Sequence, residues 1–346
     1  MTNQPINQQK MYQKLKDLVN IDSPTGFTHN AEDYCFNALT EYGWQPKYTN
    51  KRVVTCSLGE SPKLAIAAHL DTLGGIVSKI NDDGTLQISK VGGLNLNGFE
   101  GGYCRIYTLD GEIFTGTLLL NNPAAHANSE LNKAQRAEKN MHIRLDETVE
   151  DAETTQKLGI SIGDFICFEP NYVETTSGFV KSRFMDNKAG CYVLFEIAKR
   201  IKEKGWNVPV ELFFSNYEEV GHGGTVGYSD TIEELLVIDM GVLGDGLDGK
   251  ETACSICAKD SSGPYDYAMR KQLTKLAKAQ KIPYAVDIYP FYGSDGSAAL
   301  RAGLDFRVAL IGPGVSASHG TERTHKEGIE ATIDLCMAYI AALFQG

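Results

Sequence analysis

The sequence predicts an α/β fold, in which a largely parallel sheet is flanked by helices and a small β-barrel domain is inserted into it. Helical patterns alternate with short apolar strands at both ends of the chain. Between these ends, glycines and turn signals separate short β-prone runs. We therefore divide the chain into a discontinuous α/β domain of residues 1–72 and 170–346 and an inserted β domain of residues 73–169.

The first α/β segment contains two helices and three strands. We place the helices at residues 10–20 and 28–42, and the strands at residues 44–48, 51–58 and 63–71. The third strand is almost continuously apolar, which is typical of a strand covered on both faces of a sheet. It ends in His69-Leu70-Asp71, so two polar side chains follow directly on a buried strand.

Short strands joined by turns such as Asp82-Asp83-Gly84 predict that the inserted β domain is a small barrel or a sandwich, and we favour the barrel. We place its strands at residues 76–80, 86–88, 103–107 and 113–120. The segment 128–140 is strongly polar and is expected to be a loop or a surface helix.

The second α/β segment resumes the alternation of helices and strands. We place helices at residues 186–204, 265–281 and 297–302 and at the C-terminus, and strands at residues 210–217, 234–239, 284–289 and 306–311. Asp186 opens the first of these helices, and Asp239 ends the second of these strands.

Two adjacent carboxylates, Glu218 and Glu219, follow the apolar strand at 210–217. Adjacent residues on extended backbone point to opposite sides, so we expect a local twist at the strand end to bring the two side chains together. A solvated acidic pair is the commoner reading when the two residues are taken alone. Matching polar residues at other predicted strand ends favour a functional reading.

Composition excludes some partners. The formal net charge of −11 argues against a nucleic-acid partner and against an anionic membrane surface. Residues 1–10 lack the apolar core of a signal peptide, and no apolar stretch reaches the ~18 residues of a membrane span. The eight cysteines lie mostly in apolar contexts, which favours reduced thiols. We expect a cytoplasmic protein.

Potential metal ligands stand just past a strand or at the start of a helix in five segments. These segments hold His69 with Asp71, Asp186, Glu218 with Glu219, Asp239, and either His325 or His319. In α/β sheets such residues converge beyond the carboxyl ends of the strands. Oxygen and imidazole ligands without cysteine suit zinc, cobalt or manganese. An aspartate can bridge two such ions held roughly 3.5–4 Å apart, and a further carboxylate can accept a proton from water.

These motifs closely resemble those of the M42 family of metallo-aminopeptidases, which have a zinc-peptidase type of fold. The matching pieces, in the family's order, are Ala68-His69-Leu70-Asp71, Asp186-Asn187-Lys188-Ala189-Gly190, Glu218-Glu219-Val220-Gly221, Ile238-Asp239 and Arg323-Thr324-His325. The resemblance covers nearly the whole chain. Its order and approximate spacing make it stronger than any single motif.

The resemblance implies a role for each residue of the set. Asp186 would bridge two divalent metal ions, with His69 and Asp239 completing one site and Glu219 and His325 completing the other. Glu218 would be the general base, and Asp71 would orient His69 as a residue behind the ligand.

Two histidines, His319 and His325, are candidates for the last metal ligand. In the family this ligand usually follows an arginine and an aromatic residue. Here Arg323-Thr324 precedes His325 directly, just before the final helix, and we favour His325 as the ligand. His319 would then line the substrate pocket. Asp295 lies in Gly293-Ser294-Asp295-Gly296, which resembles a family segment beside the substrate cleft, and would also bind substrate.

By resemblance, the protein would be a dinuclear aminopeptidase that removes N-terminal residues from short peptides, with a metal-bridged water activated by Glu218. Zinc is the expected metal, with cobalt or manganese as alternatives. The family builds dimers into dodecamers through its inserted domain, so a homo-oligomer is expected. An amidohydrolase or deacylase acting on N-acylated amino acids or small blocked peptides could use the same ligands. A catalytically silent metal-binding or assembly protein is a third reading, which the complete ligand set opposes.

Overall fold

A computed structural model describes residues 12–345 of the chain, so the predicted helix start at residue 10 lies outside the described residues. The helices are α1 (Gln13–Val19), α2 (His29–Glu41), α3 (Leu96–Phe99), α4 (Ala152–Lys157), α5 (Met185–Lys204), α6 (Tyr267–Gln280), α7 (Asp295–Arg301) and α8 (Lys326–Phe344). Within the described range, no helix has both the length and the apolar character needed to cross a membrane.

The strands belong to a large mixed sheet, a three-stranded sheet and a closed barrel. The strands are β1 (Lys47–Tyr48), β2 (Val54–Ser57), β3 (Leu64–His69), β4 (Gly74–Ile80), β5 (Leu86–Val91), β6 (Tyr103–Tyr107), β7 (Ile113–Leu120), β8 (Met141–Leu145), β9 (Phe165–Phe168), β10 (Val173–Glu174), β11 (Phe179–Ser182), β12 (Val210–Ser215), β13 (Glu234–Ile238), β14 (Gly241–Val242), β15 (Cys254–Asp260), β16 (Gly263–Pro264), β17 (Tyr284–Ile288), β18 (Arg307–Val315) and β19 (Glu322–His325).

The centre of the large sheet is parallel, as the sequence predicts. Strands β12, β3, β13 and β18 pair in this order and all run in one direction. Antiparallel strands β2 and β15 flank this centre. Because parallel strands end at the same edge of a sheet, the carboxyl ends of β12, β3 and β13 lie side by side.

Helices cover both faces of this sheet. Leu64 and Ile66 of β3 belong to one hydrophobic core, together with apolar residues of α1, α2, α5 and α8. Ala65 and Ala67 point to the other face and belong to a second core that includes Ala299 of α7. All six residues of β3 are buried. Burial on both faces explains why this strand is a continuous apolar run rather than an alternating one.

The inserted domain is a closed barrel with the strand order β4-β5-β8-β7-β6-β9. Its interior is filled by a separate hydrophobic core that includes Val77, Ile106 and Ile143. Closure leaves no free strand edge in this barrel. The segment between β5 and β6, which contains α3, leaves the barrel and packs against the α/β domain.

Two further predictions concern local structure. The polar segment 128–140 is a loop with two short 3-10 turns, Leu131–Lys133 and Glu138–Asn140. All eight cysteines are free and buried, which agrees with their predicted role as small hydrophobic residues.

Candidate active site

Polar side chains lie at the carboxyl ends of the parallel strands, along one edge of the sheet. His69 is the last residue of β3, and Asp239 directly follows β13. Asp186 lies at the start of α5, and His319 lies in the loop between β18 and β19. His69, Asp186 and Asp239 are all buried, so their charges are shielded from bulk water.

Asp186 stands between the two histidines. His69 Nε2 lies 3.1 Å from Asp186 Oδ1, and His319 Nε2 lies 3.5 Å from Asp186 Oδ2. His319 Nε2 is also 3.7 Å from Glu219 Oε2, and His69 Nε2 is 3.7 Å from Glu218 Oε2. Each carboxylate oxygen of Asp186 therefore faces a different imidazole, which is the arrangement that a bridging ligand requires.

The predicted strand over 210–217 is too long, and Glu218 and Glu219 do not follow directly from extended backbone. Strand β12 ends at Ser215, and the pair lies in a 3-10 turn over Glu218–Val220. Tyr217 precedes this turn with a φ of 66°, a left-handed conformation that is uncommon for a residue with a side chain. This reversal of the chain, rather than a strand twist, places both carboxylates at the cluster.

Asp71 fixes this turn. Its carboxylate accepts hydrogen bonds from the backbone N–H groups of Glu218 at 3.1 Å and Glu219 at 3.2 Å. The Thr25 hydroxyl donates a third hydrogen bond at 2.6 Å. Burial alone would raise the pKa of Asp71, but hydrogen bonds from His69, Thr25 and the Glu218 amide outweigh burial and lower it. Asp71 therefore stays ionised where it holds the Glu218-Glu219 backbone.

Asp71 also lies behind His69. The His69 Nδ1 is 2.9 Å from the backbone carbonyl of Asp71 and 3.5 Å from its carboxylate. A carbonyl can only accept, so Nδ1 carries the proton and donates it. Nε2, which faces Asp186 and Glu218, is then the ring nitrogen left to bind a metal ion, as the tautomer of a metal ligand requires.

The structure does not bring His325 to the cluster, which corrects its predicted position as a ligand. His325 Nε2 contacts the Ser177 carbonyl at 2.8 Å, and its Nδ1 accepts the backbone N–H of Glu327 at 3.1 Å as the N-cap of α8. Both ring nitrogens of His325 thus have partners outside the cluster, one in the turn between β10 and β11 and one at the start of α8. His319, predicted to line the substrate pocket, is the histidine that contacts Asp186 and Glu219.

Glu322 is a site residue that sequence reasoning missed. Its buried carboxylate accepts the backbone N–H of Asp186 and that of His319, each at 3.0 Å. Burial, together with the charge of Asp186, raises the pKa of Glu322 to about 8. An acid three residues after a candidate histidine was the only signal for it in the sequence.

Asp295, predicted to bind substrate, is a buried carboxylate near the cluster. It begins α7 and is only 1% exposed, and the Ser215 hydroxyl donates a hydrogen bond to its Oδ2. Its other oxygen, Oδ1, has no hydrogen-bond partner. Burial raises the pKa of Asp295 to about 6. An unpaired carboxylate oxygen beside a cavity is suited to a cationic group of a ligand.

A cavity of about 410 Å³ opens beside the cluster. Asp186, Glu218, Glu219, Asp239, Asp295 and His319 all line it. The rest of its wall includes apolar groups of Met240, Val242 and Tyr292, and the 98% exposed Phe291. Arg301, at the end of α7, lines the same cavity. One end of the cavity is therefore strongly acidic, and a cation lies elsewhere on its wall.

The cluster has the donors of a divalent metal site. His69, Asp186 and Glu219 offer ligand atoms that all lie within 4.8 Å of one another. Glu219 Oε1 is buried and has no hydrogen-bond partner, which is costly for a carboxylate that lacks a cation. Burial raises the pKa of both Glu218 and Glu219, and the charge of Asp186 raises them further. A bound cation would relieve this crowding of negative charge, so the residues present fit a metal ion.

Fold and site together define the class of protein. A parallel sheet with candidate imidazole and carboxylate ligands at its strand ends, beside an open cavity, fits a metal-dependent hydrolase. The chain belongs to the M42 glutamyl aminopeptidase family, whose sequence profile matches residues 52–335. It is a hydrolase acting on peptide bonds.

Two similar proteins support this membership. The chain is 41% identical over 336 residues to the putative aminopeptidase YhfE of Bacillus subtilis, a match that covers 96% of this chain and 97% of the relative. It is 26% identical to the glutamyl aminopeptidase of Lactococcus lactis, over 62% of this chain and 61% of that one.

Solved structures share the fold. The Pyrococcus horikoshii TET1 peptidase, which can assemble into a tetrahedron or a large octahedral shell, superimposes with a TM-score of 0.85 at 21% identity, over 95% of this chain and 99% of that one. A TET aminopeptidase from a marine-sediment Thaumarchaeota archaeon gives a TM-score of 0.86 at 20% identity, over 98% of each chain. The inserted barrel and the mixed sheet are thus common to this group.

Proposed function

We propose that the protein is a dinuclear metal-dependent aminopeptidase that removes N-terminal residues from short peptides. The observation that carries this proposal is the position of Asp186, whose two carboxylate oxygens face His69 and His319 separately. Zinc is the expected metal, and cobalt or manganese would suit the same nitrogen and oxygen donors.

The distances support Asp186 and His319 as ligands, and the remaining assignment follows the sequence motifs. Asp186 would bridge the two ions, His69 and Asp239 would complete one site, and Glu219 and His319 would complete the other. His319 takes the place that the sequence motif assigned to His325. Burial and the charge of Asp186 raise the pKa of Asp239 to about 8 in the absence of a cation, which fits a carboxylate that is ionised fully when metal binds.

Glu218 is the proposed general base. When bound, the metal ions would supply Lewis acidity toward the scissile carbonyl and toward water. Glu218 would accept a proton from the attacking water on its carboxylate and return it to the leaving amine. Burial raises the pKa of Glu218, and a carboxylate with a raised pKa can both take and return a proton near neutral pH.

The free N-terminal ammonium of a peptide is the proposed group recognised at the acidic end of the cavity. Asp295 supports this because its Oδ1 is buried and unpaired. Aminoacyl anilides with a free amine, compared with their N-acetylated forms on the metal-reconstituted enzyme, test the proposal. Cleavage of the free substrates supports an aminopeptidase, whereas cleavage of the blocked ones alone would replace it with the deacylase reading.

Replacing His319 by alanine is expected to remove one of the two metal ions and most activity, because its Nε2 faces Asp186 and Glu219. Replacing His325 by alanine should leave metal content at two per chain and lower only stability, by about 0.5–2 kcal/mol for a lost helix cap. Elemental analysis of the dialysed proteins and thermal denaturation separate the two effects. Loss of metal from His325→Ala with His319→Ala unaffected would restore the assignment made from the sequence motif.

Arg301 supports a preference for substrates with an acidic first side chain, such as the name of the Lactococcus relative describes for that protein. Because Arg301 is exposed, its ion pair should be worth less than about 1 kcal/mol, or roughly fivefold. We expect Arg301→Gln to lower kcat/KM about 2- to 5-fold for a glutamyl anilide and to leave a leucyl anilide unchanged. Lys271→Gln, on the exposed surface of α6 outside the cavity, is the control.

We also propose a cytoplasmic homo-oligomer, based on dimers and extending to a dodecamer, with the inserted domain at residues 73–169 as its contact surface. Eight buried free thiols support a reducing compartment. The assembly described for the Pyrococcus TET1 peptidase supports an oligomer. Light scattering of the purified protein measures its mass directly, and a monomer would contradict this part of the proposal.

A further inference from the structure

One segment of the inserted barrel reaches the metal-binding cluster. Gly92 and Gly93 directly follow β5 and lead to α3. The Gly93 carbonyl lies 3.1 Å from Nδ1 of His319, a residue 226 positions away in the sequence. A carbonyl is only an acceptor, so Nδ1 of His319 carries a proton and donates it to Gly93. Nε2 of His319, which faces Asp186 and Glu219, is then the ring nitrogen left to bind a metal ion.

The approach of this segment leaves no room for side chains. A Cβ atom on Gly93 would lie 2.8 Å from Nδ1 and 2.9 Å from Cε1 of the His319 ring. A Cβ atom on Gly92 would lie 3.2 Å from Cβ of Glu219 and 2.7 Å from a methyl group of Leu73. Gly92 also has a φ of 72°, which favours glycine. Two consecutive glycines therefore touch two of the proposed ligands.

The backbone of His319 needs such support. Its φ is 60°, in the left-handed region that costs a residue with a side chain about 1 kcal/mol or more. Glu322 holds the main chain by accepting the His319 N–H at 3.0 Å. That contact does not fix the ring. The hydrogen bond to Gly93 fixes both the direction of the His319 ring and its tautomer. The side chain of His319 is 36% exposed to solvent, so the surrounding packing alone does not hold the ring.

We infer that Gly92-Gly93, which we call the glycine pair, is a positioning element through which the inserted domain completes the metal site of the α/β domain. The inference rests on the proposed role of His319 as a ligand. It gives the inserted domain a function within each chain, separate from any contact between chains. The glycine pair touches no substrate in this role; it acts through His319 and Glu219.

The test is the substitution Gly93→Ala, measured by zinc titration calorimetry on the metal-stripped full-length protein. The new methyl group must displace the His319 ring, so we expect the affinity of one zinc ion to fall roughly 10- to 100-fold, as for other partners of ligand histidines. Gly244→Ala is the matched control, because a Cβ there meets open space, and its titration should equal that of the unmodified protein.

His319→Ala separates failure of this inference from failure of the proposed function. If His319→Ala keeps both zinc ions, the ligand role of His319 is wrong. If His319→Ala loses one zinc ion while Gly93→Ala binds both with unchanged affinity, the role of the glycine pair is overturned. Far-ultraviolet circular dichroism and thermal denaturation of the metal-free proteins confirm that Gly93→Ala is folded.

A measurement on the unmodified protein serves if Gly93→Ala does not fold. Nitrogen-15 spectra of the histidine-labelled, zinc-bound protein report which ring nitrogen carries the proton, with His319→Ala identifying the signal. A proton on Nδ1 of His319, protected from exchange by the Gly93 carbonyl, supports the inference. A proton on Nε2, or rapid exchange at Nδ1, would overturn it.

Discussion

Replacing Glu218 by glutamine is expected to nearly abolish turnover while metal content stays at two ions per chain. The amide has nearly the same shape as the carboxylate but cannot accept the proton of the attacking water. General acid–base catalysis contributes about 10²- to 10⁴-fold, so kcat should fall by that factor. The hydrogen bond from the Glu218 backbone to Asp71 does not involve the side chain, so the turn that carries both glutamates should persist. Steady-state kinetics on a free aminoacyl anilide and elemental analysis of the same sample measure the two quantities.

The neighbouring carboxylate provides a matched control for this experiment. Glu219→Gln removes the same charge one residue away, but its side chain is the one near His319, at 3.7 Å from Nε2. We expect Glu219→Gln to lose metal as well as activity. Glu218→Gln that loses metal to the same extent would contradict the division of the pair into a base and a ligand.

The sequence predicted the parts of the molecule in which local pattern and burial agree. The apolar run of β3 predicts a strand buried on both faces, and the structure confirms it because cores cover both sides of the sheet. The positions of His69 and Asp239 followed from those strands, since parallel strands end at one edge. The barrel was recognised from its turns. Its closure depends on long-range pairing of β4 with β9, which no local pattern encodes.

The sequence failed where the path of a loop decides which residue reaches the site. His319 and His325 are six residues apart, and the motif favoured the second. The structure favours the first because His319 adopts a left-handed backbone that turns its ring to Asp186, whereas the ring of His325 caps α8. The predicted strand before Glu218 and Glu219 was too long for the same reason, because the left-handed Tyr217 reverses the chain there. A left-handed residue that is not glycine leaves little trace in a sequence.

Residues that act through the backbone are the other group that sequence reasoning missed. Glu322 accepts two main-chain N–H groups, and Gly93 offers only a carbonyl. Gly93 has no side chain, and Glu322 uses its carboxylate to hold main-chain N–H groups, so the role of neither residue stands out in a motif. Both gain their significance from three-dimensional neighbours that are distant in the chain.

Replacing Asp186 by alanine should have the widest effect on metal binding, because its two oxygens face two different histidines. Loss of His319 alone leaves His69, Asp186 and Asp239 for one ion, whereas loss of Asp186 leaves neither site with its shared oxygen. We expect no bound zinc after dialysis and no turnover above background. In the metal-free protein, burial would raise the pKa of Asp186, but hydrogen bonds from His319 and His69 outweigh burial and lower it. The substitution therefore removes an ionised carboxylate.

Thermal denaturation distinguishes an empty site from an unfolded protein in this experiment. A ligand present at 100 times its Kd stabilises the folded state by about 2.7 kcal/mol, so zinc should raise the Tm of the unmodified protein. For Asp186→Ala we expect no zinc-dependent rise. The metal-free Tm should be lower, because the ionised Asp186 carboxylate, whose pKa His319 and His69 hold below its usual value, stabilises the folded state at neutral pH. Asp295→Asn, which lines the same cavity outside the proposed ligands, should keep the rise. A full zinc-dependent rise in Asp186→Ala would mean that the two histidines bind metal independently, and the bridging role would then be wrong.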